Sequence, residues 1–166
     1  MEEYQKSLGF RVVSNITQIP IIRGAVCAID IDDTLFKSTR VVHHGRAVTN
    51  KLEFCHPDIP RWLDTARKTM DVIFITARDP KDEEVTLQQF EAMGLPSFPI
   101  CFTNNKGLIL RRYLQRKEFY TDVIFADDLD ANIQSVKNHC PTAVCYRVDP
   151  KLNDKLFRRF TRRKSF

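Results

Sequence analysis

The stretch Ala28-Ile29-Asp30-Ile31-Asp32-Asp33-Thr34-Leu35 decides how the rest of the chain is read. Its first residues close an apolar, strand-like run over 25–31, and three carboxylates then crowd into four positions at the strand's end. Like charges so close raise one another's pKa and call for relief by a cation or by hydrogen bonds. Oxygen ligands without Cys or His point to Mg²⁺ over Zn²⁺. If the extended geometry persists past Asp30, Asp30 and Asp32 share one face and Asp33 points away. One carboxylate is then placed to attack an electrophile while its neighbour handles the proton.

Outward from this stretch, further short apolar runs rich in β-branched and aromatic residues cover 71–76, 98–103, 121–126 and 142–148. Strands covered by helices on both faces need no polar alternation, and these runs fit that description. Between them, 59–69, 81–93, 106–117 and 129–138 have helical length with apolar residues three and four apart. In the second of these helices Val85, Phe90 and Met93 mark the apolar positions, and Gly94 and Pro96 stop it. Strand–helix alternation predicts an α/β fold, a three-layer Rossmann-like sandwich around a mainly parallel five-stranded sheet. Residues 39–52 break the alternation with two β-prone runs around Gly45, which predicts a small β-hairpin flap after the first strand. Ligands of open α/β sheets bind at the carboxyl edge from which this flap springs; a plain edge decoration is the alternative.

Other chemistry-bearing residues fall at the same edge. The fourth strand ends Asp127-Asp128-Leu129-Asp130-Ala131-Asn132, and its carboxylates converge with the first cluster if the two strands are neighbours. The second strand ends Thr76-Ala77-Arg78, offering a hydroxyl and a guanidinium to an anion. Lys106 opens a helix, where the macrodipole disfavours a cation unless an anion meets it. Taken singly, an Asp-rich strand end also serves as a turn or helix cap. The order D-x-D-x-T-L, Thr, Lys, D-D, each at a strand end or helix start, is hard to reach by accident.

The 166 residues fit a single domain over 1–166, with the motif-bearing core at 25–132. The net charge of +5 invites a nucleic-acid partner. The seven basic residues from Lys151 onward face one acid, Asp154, whereas 1–150 hold 19 basic and 20 acidic side chains, so the body charge does not support that partner. Leu152, Leu156, Phe157 and Phe160 recur at helical spacing, which predicts a basic C-terminal helix or tail over 150–166. The first twenty residues hold no sustained apolar run and the longest such run elsewhere is about five, against about 20 for a membrane span, so a cytoplasmic protein is expected. Five cysteines without C-x-x-C spacing read as reduced thiols. A metal site from Cys55-His56 with His43-His44 has no recognised ligand spacing.

With these residues in place, the chain resembles the haloacid dehalogenase-like superfamily, whose four motifs match in order over about 25–132. The resemblance implies that Asp30 is a nucleophile forming an aspartyl-phosphate and that Asp32 is the general acid and base. It places Thr76 and Ala77 on the phosphoryl oxygens and Lys106 on the nucleophile and the transferring group. It puts Mg²⁺ among Asp30, Asp32 and Asp128, with Asp127 as the alternative ligand. Asp127 stands where the family commonly has Gly, and Asn132 where it commonly has a second acid. The implied reaction is two-step hydrolysis of a phosphomonoester. An inserted cap domain has no room between Asp30 and Ile75, so the site is expected to be open. An open site suits a bulky phosphorylated substrate or completion by a neighbouring subunit, with Arg40, His43, His44, Arg46 and Arg78 as candidates for reading the substrate. Two other readings are a binding or regulatory protein on an inactive scaffold of this family and a receiver-like phosphoacceptor domain. The order of the acidic clusters along the chain argues against the receiver.

Overall fold

A computed structural model of the chain describes residues 9–43, 45 and 47–152, with the backbone alone over 40–43 and 47–50. The strands are β1 (Arg11–Val13), β2 (Val26–Ile29), β3 (Phe36–His43), β4 (Ala47–Phe54), β5 (Asp71–Thr76), β6 (Ile100–Phe102), β7 (Val123–Asp127) and β8 (Val144–Val148). The α-helices are α1 (Ile59–Ala66), α2 (Glu83–Ala92), α3 (Lys106–Gln115) and α4 (Asp130–His139). Six strands form one sheet in the order β1-β8-β7-β2-β5-β6, and every pairing in it is parallel. The expected five-stranded sheet therefore gains a sixth strand, β1, on the edge beside β8. Its three residues run from exposed to buried with only Val13 in the core, too short a pattern to announce a strand.

The alternation along each strand divides the core into two layers. Cys27 and Ile29 of β2 join Phe74 and Ile124 on one face, against Ile59, Trp62, Leu63 and Ala66 of α1 and Phe90 of α2. Val26 and Ala28 face the other way with Ile73 and Phe125, against Leu110 of α3 and Ile133 and Val136 of α4. Such burial on both faces is why the strands read as continuous apolar runs. In α2 the buried positions are Thr86 and Phe90, whereas Val85 is 52% exposed, so the helix sits rotated from its expected face. Gly94 ends it with φ +75°, and the Leu95 N–H returns to the Phe90 carbonyl at 3.0 Å.

The hairpin is longer than expected, with β3 and β4 antiparallel from Phe36 opposite Phe54 to His43 opposite Ala47. Its root is fixed in the core: the Phe36 ring lies 5.3 Å from Phe54 and 5.4 Å, edge-on, from Phe90. Between β2 and β5 the described elements are this hairpin and α1. No helix among the described residues is long and apolar enough to cross a membrane, and all five cysteines are free thiols. The expected C-terminal helix, beyond Leu152, lies outside the described residues.

Candidate active site

The strand order puts the two acidic clusters side by side. β2 lies between β5 and β7, and the chain runs outward through β5 and β6 before crossing back to β7. The reversal leaves a crevice at the carboxyl ends of β2 and β7, where open parallel sheets bind ligands. Asp30 follows β2 and donates its N–H to the Ala126 carbonyl at 2.9 Å, while Asp127 closes β7.

Lys106 reaches this crevice from the start of α3. Asn105 caps that helix, accepting the Leu108 N–H at 3.2 Å, and its Oδ1 also takes the Ser135 hydroxyl at 3.0 Å. Gly107 lets α3 lie close to α4: a Cβ there would stand 2.0 Å from the Ser135 carbonyl oxygen. So positioned, Lys106 Nζ donates to Asp30 Oδ1 at 2.6 Å and to Asp127 Oδ2 at 2.7 Å. The ammonium is 1% exposed and the two carboxylates 8% and 0%. Charge-assisted bonds of this length are the strong kind, and a buried charge so placed has to be paired.

Asp128 completes a group of three: one carboxylate oxygen from each of Asp30, Asp127 and Asp128 lies within 4.8 Å of the others. Three carboxylates face one ammonium. Burial pushes the Asp30 carboxyl up to about 8, against the pull of Lys106 and with a further push from Asp127. Burial also raises Asp128, against an opposing influence from the neighbouring Asp30 carboxyl and with a further push from Asp127. For Lys106, burial acts downward but is overcome by the charges of Asp30 and Asp127, which raise it. Such a cluster is short of positive charge, and a proton or a divalent cation can make up the deficit. The donor set is all oxygen, which fits a hard cation such as Mg²⁺. Asp127 has already committed Oδ2 to Lys106 and Oδ1 to the Leu129 N–H at 3.0 Å and to Asn132 Nδ2 at 3.2 Å.

Asp32 stands apart from this group. β2 ends at Ile29, the chain bends at Ile31, and Asp32 bridges to Phe36 before Asp33 turns the chain with φ +63°. The Asp32 side chain is 55% exposed, and its carboxylate is gripped by the Arg78 fork at 2.9 and 2.8 Å. Arg78 is thus held by a carboxylate of the chain itself, in the place where the sequence suggested a group offered to a substrate anion. Thr76 is buried at the end of β5 and accepts the Arg78 N–H at 3.1 Å, while Ala77 beside it is exposed. Of the hairpin candidates, Arg40 and His43 lie on β3, opposite Asn50 and Ala47. Their side chains, and His44 and Arg46 altogether, lie outside the described residues, as do the contacts of the His43-His44 pair with Cys55-His56.

Three partners escaped the sequence reading. The Thr34 hydroxyl is fully buried and donates to Asp30 Oδ2 at 3.1 Å, and the Thr of D-x-D-x-T was its signal. Thr86 and Gln89, which hold Arg78 from α2, carry no sequence signal.

Comparison with known proteins finds no matching family model, no matching curated protein and no matching solved structure.

Proposed function

We propose that the protein is a Mg²⁺-dependent phosphomonoester hydrolase working through an aspartyl-phosphate on Asp30. The observation that carries the reading is the buried ammonium of Lys106 between Asp30 and Asp127, with Asp128 alongside, in the crevice between β2 and β7. The order of motifs that resembles the haloacid dehalogenase-like superfamily supports it independently.

In this mechanism Asp30, oriented by Lys106 and by the Thr34 hydroxyl, attacks phosphorus in line. The ester P–O bond breaks and Asp32 gives its proton to the departing oxygen. Asp32 next takes a proton from water, which attacks phosphorus, releases inorganic phosphate and restores the Asp30 carboxylate. Lys106 and the Thr76 hydroxyl meet the phosphoryl oxygens, the electrostatic contribution that is usually largest. Asp30, Asp128 and Asp127 would hold Mg²⁺, which supplies charge neutralisation to the cluster and to the phosphoryl group. With a hairpin and α1 as the described elements between β2 and β5, the crevice suits a bulky phosphorylated substrate.

Hydrolysis of p-nitrophenyl phosphate with and without Mg²⁺, by wild type and by Asp30→Asn, tests the reading. Turnover that needs both Mg²⁺ and Asp30 is expected. Turnover surviving in Asp30→Asn would remove the nucleophile, and inactivity on every phosphoester would favour a binding protein on the same scaffold.

A further inference from the structure

The side chain that the proposed mechanism uses for both proton transfers is the least enclosed of the site's carboxylates whose side-chain exposure is given above. Asp32 is 55% exposed and lies beyond the end of β2, against 8% for Asp30 and 0% for Asp127. Proton transfer in a transition state demands a fixed donor direction, and a half-exposed carboxylate needs a partner that fixes its plane.

Arg78 supplies that direction. Its Nε and Nη2 meet Asp32 Oδ2 and Oδ1 at 2.9 and 2.8 Å, the two-pronged geometry that sets the plane of a carboxylate. Its far side is anchored in turn, with Nη1 donating to Thr86 Oγ1 at 3.1 Å and to Gln89 Oε1 at 2.5 Å. Thr86 is itself tied to the Asp82 carbonyl at 2.8 Å. Four of the guanidinium's five N–H donors are thereby spent inside the protein, so its binding capacity for a substrate phosphate is largely used up. Each Asp32 oxygen still keeps a lone-pair site away from the fork, and that is where a water or leaving-group proton is exchanged.

We propose that Arg78, braced by Thr86 and Gln89 on α2, is the positioning residue that aims the Asp32 carboxylate at the reacting phosphoester. The proposal rests on the phosphatase reading, and it assigns α2 a part in catalysis.

The test compares an alkyl phosphate, whose alkoxide needs a proton to leave, with p-nitrophenyl phosphate, whose phenolate does not, in the presence of Mg²⁺. Arg78→Lys keeps the charge and loses the fork; Gln89→Leu keeps Arg78 and loosens its brace. In Arg78→Lys, kcat/KM for the alkyl ester is expected to fall roughly 10- to 100-fold further than for the aryl ester. A stoichiometric burst of p-nitrophenolate is also expected, because a misaimed Asp32 slows the water step while Asp30 is still phosphorylated. Gln89→Leu should show the same two signs more weakly, and it decides the matter if Arg78→Lys does not fold. An equal fall on both esters without a burst, or a rise in KM alone, would overturn the proposal while leaving the hydrolase reading intact. Wild type inactive on both esters would instead sink the hydrolase reading and the proposal with it.

Discussion

Two cations serve the same carboxyl edge under opposite conditions. Lys106 is sealed in, with its Nζ between Asp30 and Asp127 and 1% of its side chain exposed. Arg78 works at the rim, 15% exposed, against a half-exposed Asp32. In the interior a compact ammonium serves as a point charge that several carboxylates can share, and removing it leaves buried charges uncompensated. At the rim water already screens the carboxylate, so the guanidinium contributes direction more than neutralisation. Depth therefore separates a cation that neutralises buried charge from one that fixes the plane of a half-exposed carboxylate.

The largest expected effect falls at the deep end. Asp30→Asn should lower turnover of p-nitrophenyl phosphate roughly 1,000-fold or more in steady-state assays, since the group assigned as nucleophile is gone. Lys106→Met should destabilise the metal-free protein by about 3–5 kcal/mol in urea unfolding, because Asp30 and Asp127 lose their shared cation. A loss below about 1 kcal/mol would erase the contrast between interior and rim.

The deep cluster should also respond to pH. Asp30 is raised from 3.8 to about 8 in the folded protein, so the folded state retains a proton that the unfolded chain has released. That contribution is complete below 3.8 and is lost as pH rises through about 8. The thermal midpoint of the metal-free protein should therefore decline across that window, and saturating Mg²⁺ should oppose the decline. A midpoint that rises with pH in the metal-free protein would contradict the burial-driven shift.

Gly107→Ala should cost about 1–3 kcal/mol by denaturant unfolding, since the added methyl meets the Ser135 backbone. The smallest effect belongs to the rim: Arg78→Ala should change stability by about 1 kcal/mol. A cost approaching that of Lys106→Met would mean that Arg78 is chiefly a structural brace.

The strands around the site were legible because burial on both faces writes itself as uninterrupted apolar runs such as Val26–Ile29. The β1 edge was not, since three residues with one buried side chain give no period to read. Likewise, Asp30, Thr76, Lys106 and the Asp127-Asp128 pair could be picked out because each sits where a strand or helix begins or ends. The grip of Arg78 on Asp32 carried no such mark, because the two lie 46 residues apart.

By itself the sequence determined the α/β alternation and which side chains gather at the carboxyl edge, because hydrophobic period and strand-end position are local properties of the chain. Only the tertiary structure decided how those side chains share out their charges. Lys106 lies 76 residues from Asp30 and Arg78 lies 46 from Asp32. Pairings at such separations depend on the order of strands and on how closely α3 and α2 approach the crevice, neither of which a local pattern encodes.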